Sequence, residues 1–126
     1  MLYKNLMLID DDDDDQEIFL TAVKAVSDKA TCSSFFNAEE ALKQLISGRE
    51  EPEVIFLDLN MPVMNGQQFL IEIKKIDKLK AIPVIIFSTS SHAPTIQATK
   101  DLGASDFITK PASFDALKEI LKQIIA

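Results

Sequence analysis

Asn5-Leu6-Met7-Leu8-Ile9-Asp10-Asp11-Asp12-Asp13-Asp14-Asp15 joins a short apolar run to six consecutive aspartates. The apolar half has the composition of a strand buried on both faces, which belongs in a parallel sheet covered by helices. The acidic half is tolerated only where water, a helix terminus or a cation offsets the repulsion. Without that block the formal net charge would be −1 in place of −7. The acidity is therefore local and marks a site or a helix cap, not a property of the whole surface.

Outward from this stretch, short β-rich runs alternate with segments of helical period. The strand-like runs are Asn5-Ile9, Thr31-Phe36, Glu53-Asp58, Pro83-Ser88 and Ser105-Thr109, of which the first, third and fourth are apolar enough for the sheet centre. Helical stripes lie between them at Ile18, Ala22, Val23 and Val26; at Ala41, Leu42, Leu45 and Ile46; and at Phe69, Leu70, Ile73 and Ile76. The last stripe, Phe114, Leu117, Ile120, Leu121 and Ile124, is the clearest, whereas that near His92 to Leu102 is weak. Strict alternation implies an α/β fold with a parallel sheet, right-handed crossovers and helices on both faces.

At 126 residues, nearly half of them hydrophobic, the chain suits one domain, residues 1-126, with a real core. Its apolar runs are far shorter than a membrane span, and no basic-then-apolar leader opens it, so a cytoplasmic protein without membrane contact is expected. One cysteine and one histidine exclude an internal disulfide and a Cys/His zinc site, leaving oxygen ligands for any metal. No cluster of Lys or Arg provides the footprint of direct nucleic-acid binding. A calcium-loop reading of the aspartates fails as well: from any of them, no glycine falls at position six and no acid at position twelve.

Ligands of open α/β sheets bind at the carboxyl ends of the strands. In this chain those ends carry Asp10 and Asp11, Asp58, Ser88 and Lys110. Asp12 to Asp15 stand where the first helix begins, and are expected to cap it and face solvent. Gly66 and Gly103 are read as turn or helix-start residues, His92 as an exposed residue near the fourth helix, and Cys32 as a strand residue without redox function.

The pattern Ile9-Asp10-Asp11, Ile55-Phe56-Leu57-Asp58-Leu59-Asn60-Met61-Pro62 with Met64-Asn65-Gly66, Ser88, and Lys110-Pro111 resembles the response-regulator receiver domain, CheY-like, of two-component signalling. The intervals of 30 and 22 residues from Asp58 to Ser88 to Lys110 fit that family, and the likeness covers essentially the whole chain. It implies a flavodoxin-like (βα)5 three-layer sandwich with strand order 2-1-3-4-5. It also implies Asp58 as phosphoacceptor, assisted by Lys110 and Ser88. Mg2+ would be held by Asp10, Asp11, Asp58 and the Asn60 backbone carbonyl, with the choice of direct ligand between Asp10 and Asp11 left open. Ser88 and Phe107 match a hydroxyl–aromatic switch pair, and Asn60 and Ser90 the positions that tune acyl-phosphate hydrolysis. The family carries a cis peptide at Lys110-Pro111, which would aim the lysine.

The resemblance further implies a phosphohistidine donor on a sensor histidine kinase or a histidine phosphotransfer protein. The expected protein is a stand-alone receiver without output domain, a monomer or weak dimer, and not an enzyme beyond its own phosphorylation and dephosphorylation. Two rivals are an aspartyl-phosphate phosphatase and a degenerate receiver that binds partners without phosphorylation. The first would need an acid two residues after the nucleophile, where this chain has Asn60.

Overall fold

The computed structural model describes residues 2–126. Five strands, β1 (Asn5–Ile9), β2 (Thr31–Phe35), β3 (Val54–Leu57), β4 (Val84–Ser88) and β5 (Asp106–Thr109), form one parallel sheet of order β2-β1-β3-β4-β5. Each is followed by a helix: α1 (Asp13–Val26), α2 (Ala38–Ser47), α3 (Gly66–Lys74), α4 (Ala93–Asp101) and α5 (Phe114–Lys122). This is the flavodoxin-like architecture, with the three apolar strands at its centre.

Period-two alternation divides the core. Leu6, Leu8, Val54, Phe56, Ile85 and Phe87 face α1 and α5, where Phe19, Ala22, Val23, Leu117 and Leu121 close over them. Met7, Ile9, Ile55, Leu57, Val84 and Ile86 face the other layer, with Ala41, Leu45, Phe69, Leu70 and Ile73. Three helical stripes each leave one expected core residue outside. Ile18 is 47% exposed and the adjacent Phe19 takes the core position, because its ring packs 5.0 Å from Phe56 and 5.5 Å from Phe87 between centroids. Phe114 and Ile46 also lie outside, while Leu117 and Leu45 carry their helices into the core.

Helix starts follow local chemistry. Asp12 is the N-cap of α1 and accepts from Asp15 N–H at 2.9 Å, with Asp13, Asp14 and Asp15 in the first turn. Asn65 and Gln68 form a reciprocal capping box on α3. The hydroxyl-rich Ser88-Thr89-Ser90-Ser91 does not cap α4: His92 is its N-cap without a side-chain cap bond, and the Ser90 hydroxyl instead accepts from His92 N–H.

Candidate functional site

Sheet register builds the site. The Asp58 N–H donates to the Ile9 carbonyl at 3.0 Å, so the residue after β3 lies beside the end of β1. Asp10 N–H donates to the Phe35 carbonyl, and the Lys110 N–H to the Ser88 carbonyl at 2.7 Å. Asp10, Asp11 and Asp58 each bring one carboxylate oxygen within 4.8 Å of the others. The Lys110 ammonium reaches the same point from β5, 2.9 Å from Asp10 Oδ2 and 4.0 Å from Asp58 Oδ1.

The three acids are not equivalent. Asp10 is buried; one oxygen accepts from Asp12 N–H and the other from Lys110. Asp11 is exposed and Asp58 is buried, with Asp58 Oδ1 accepting from the Leu59 N–H at 2.9 Å. Burial pushes the Asp58 carboxyl up to about 6; Lys110 opposes that rise and Asp10 adds to it. Burial also raises Asp10, against its hydrogen bonds from Lys110 and Asp12. For Lys110 burial alone would lower the ammonium, but the hydrogen bonds to Asp15 and Asp10 prevail and hold it above its ordinary value.

Two contributors have no local signal in the sequence. Asp15, expected only to cap and face solvent, accepts from Lys110 at 2.7 Å, the shorter of that lysine's two carboxylate contacts. Gln16 is buried, and its amide donates to the Asp10 carbonyl at 2.9 Å and to the Phe35 carbonyl at 2.8 Å, pinning the end of β1 to that of β2. Both contacts depend on how α1 leaves the sheet, which only the folded chain fixes.

The remaining candidates occupy the rim. Ser88 is buried, and its hydroxyl accepts from Ser90 N–H at 3.3 Å. Asn60 and Ser90 line one groove with Leu59, Asn65, Gln67 and Thr95, and no backbone donor among the described residues reaches the Asn60 carbonyl. Phe107 is half-buried against the α2–α3 side of the core. The expected cis peptide at Lys110-Pro111 is absent: no described peptide bond is cis, and the lysine is aimed by its ladder bond to Ser88 and its two carboxylate partners. Cys32 is half-buried, and burial pushes its thiol up to about 12, which disfavours the thiolate.

Gly66 opens α3 directly beneath the end of β3. A Cβ there would collide with the Asp58 carbonyl oxygen and stand 2.8 Å from Leu59 Cα, so only glycine lets the helix start so close. The loop between carries Val63 at φ 67°, a left-handed conformation that a β-branched residue rarely adopts.

A family sequence model described as response regulator receiver domain matches residues 6–122. A protein-glutamate methylesterase/protein-glutamine glutaminase of Methanococcoides burtonii is 31% identical over 121 residues, covering 94% of this chain and 33% of its own length. The probable C4-dicarboxylate response regulator DctR of Bacillus subtilis is 34% identical over 122 residues, covering 94% of this chain and 51% of its own. The chain therefore spans a third to about half of these relatives. Among solved structures, the phosphorylated cyanobacterial phytochrome response regulator RcpA superposes with a TM-score of 0.87 at 30% identity, covering 96% of this chain and 90% of that one. With the family pattern matched from Leu6 to Lys122 and the strand order in agreement, the chain belongs to the response regulator receiver domain family.

Proposed function

We propose that Asp58 accepts a phosphoryl group from a phosphohistidine, carried by a histidine kinase or a histidine phosphotransfer protein, in a Mg2+-dependent transfer. The observation that carries this reading is the meeting of three carboxylates within 4.8 Å of one another with an ammonium 4.0 Å from Asp58 Oδ1 at the carboxyl edge of the sheet. In the transfer the histidine N–P bond breaks, an Asp58 O–P bond forms, and the imidazole keeps the electron pair. With its carboxyl at about 6, Asp58 is mostly ionised at neutral pH and available as the nucleophile. Lys110 and the Ser88 hydroxyl would hold phosphoryl oxygens.

The donor set, all hard oxygen, fits Mg2+. Asp11, Asp58 and the free Asn60 carbonyl would hold it directly. Asp10, whose oxygens already accept from Asp12 and Lys110, would act through water. Bound there, the ion would neutralise charge between the acids and the incoming phosphoryl group.

Ser88 and Phe107 would convert modification into a change of the α4–β5–α5 surface for a protein partner, the hydroxyl drawn to the phosphoryl group and the ring turning further into the core. The Thr109 hydroxyl donates to the Ser90 carbonyl at 3.2 Å, linking the two moving segments. Asn60 and Ser90, sharing a groove beside Asp58, would set the access of hydrolytic water.

The test is incubation with a small acyl-phosphate donor and Mg2+, followed by mass spectrometry of the intact chain. One phosphoryl adduct, absent without Mg2+ and in Asp58→Asn, is expected. Rapid multiple turnover of a phosphomonoester would make the protein a phosphatase, and no adduct would make it a binding module.

A further inference from the structure

Lys110 is committed to two acids of different kinds. Asp10 lies at a strand end, buried, with its carbonyl clamped by Gln16. Asp15 lies in the first turn of α1, its side chain 37% exposed, and takes the shorter hydrogen bond, 2.7 Å against 2.9 Å. Asp58 Oδ1 is left at 4.0 Å, beyond hydrogen-bond range.

Helix capping does not account for this contact. The N–H of Asp15 is already satisfied by Asp12, and Asp13 and Asp14, on the same turn and equally able to favour the helix dipole, make no such bond to any described residue. What Asp15 adds is a counter-charge for a lysine drawn from a strand end 95 positions away.

We propose that Asp15 is a latch on Lys110: it holds the ammonium short of Asp58 in the resting protein and releases it to a phosphoryl oxygen. The proposal rests on the reading of Asp58 as phosphoacceptor. A phosphoryl group on Asp58 brings about two negative charges and three strong acceptor oxygens. Lys110 has a third N–H to offer, but its Nζ stands 4.0 Å from Asp58 Oδ1 and is tied to two carboxylates on its other side, so a move toward the modified residue draws it away from one of them. Asp10 is fixed and out of water, whereas water can replace the lysine at Asp15. The bond to Asp15 is therefore the one exchanged, and breaking it weighs on the modified state alone. Asp15 is a positioning residue, acting on the chemistry through Lys110.

The test compares the affinity of the full chain for beryllofluoride, a phosphoryl mimic, in saturating Mg2+, by isothermal titration at low and at 0.5 M salt. Asp15→Asn should bind about 3- to 10-fold tighter than wild type, the range for losing a partly exposed charged hydrogen bond. Asp14→Asn, which removes the same charge from the same turn, should stay within about 2-fold, and high salt should not erase the difference. Asp15→Glu should restore affinity near wild type. Affinity in Asp15→Asn equal to or weaker than in Asp14→Asn, with wild type binding normally, overturns the latch alone. Failure of wild type to bind, matching Asp58→Asn, overturns the acceptor reading and the latch with it. Thermal melts confirm that each variant is folded before it is compared.

Discussion

Replacing Asp58 with Asn should stabilise the metal-free protein at neutral pH, and the structure sets the size and pH window of the gain. Asp58 has a side chain only 10% exposed and a carboxyl pushed up to about 6 from the ordinary 3.8, burial being the largest cause. Because the folded value lies above the unfolded one, the folded state binds more protons than the unfolded state between those values. Stability from this group is thus fully present below about pH 4, and falls as pH rises toward 6 and slightly beyond. A rise of that size corresponds to roughly 2–3 kcal/mol, at about 1.4 kcal/mol for each tenfold change in proton affinity. Asn keeps the acceptor oxygen for the Leu59 N–H, and Lys110 keeps Asp10 and Asp15, so little is lost in exchange.

Urea denaturation in EDTA, followed by circular dichroism across pH 4 to 8, measures this directly. Asp58→Asn should exceed wild type by roughly 2–3 kcal/mol at pH 7.5, on the order of 10 °C in Tm for a chain of this size, and by little at pH 4. Mg2+ should close most of that gap by stabilising wild type, by about 2.7 kcal/mol at a hundred times its Kd, with a smaller effect on the variant. A gain that is absent, or that does not vary with pH, would refute the assignment of Asp58 as a carboxylate strained by burial.

The other predictions concern the loops and the acidic run. Asp10→Asn with Asp11→Asn should abolish Mg2+ binding by calorimetry, whereas neutralising Asp12, Asp13 and Asp14 should leave affinity within a few fold, with equal losses refuting the division. Asp12→Ala should cost about 1 kcal/mol in urea denaturation through loss of the α1 cap, while Asp14→Asn changes stability by under about 0.5 kcal/mol. Gly66→Ala should cost about 1–3 kcal/mol and slow phosphorylation, because the added carbon meets Asp58 backbone; a neutral result would mean that α3 shifts freely. Val63→Gly, at an 83% exposed position with φ 67°, should raise stability by roughly 0.5–1 kcal/mol by relieving strain, and a loss of that size would contradict it.

What could be read from the sequence follows from how local each signal is. β1, β3 and β4 were legible because strands buried on both faces must be apolar at every position, and their ends then located Asp10, Asp58 and Ser88 without knowledge of packing. Strand order came from resemblance, since alternation fits several orders. The α1 stripe misassigned Ile18 because one residue of helix is 100° of rotation; the Phe19–Phe56–Phe87 cluster, a tertiary contact, decided which face turned inward. Gln16 and Asp15 were illegible for the same reason: their partners lie 19 and 95 positions away, and only the angle at which α1 leaves the sheet brings them together.

The acidic run, which looked uniform, is divided by geometry into separate tasks. Asp10 and Asp11 end a strand, Asp12 caps a helix, Asp13 and Asp14 meet solvent, and Asp15 turns back to Lys110. The last of these changes the charge balance of the site. Asp10, Asp11, Asp15 and Asp58 bring four carboxylates to one ammonium, a formal excess of three negative charges before any phosphoryl group arrives. Burial holds Asp58 and Asp10 above their ordinary values, and with its carboxyl at about 6 Asp58 is still mostly ionised at pH 7. A phosphoryl group adding about two more charges could not be held there by Lys110 alone. On the proposed reading a divalent cation and a lysine able to move act together, and the partly exposed Asp15 is the member of the cluster that can give the lysine up.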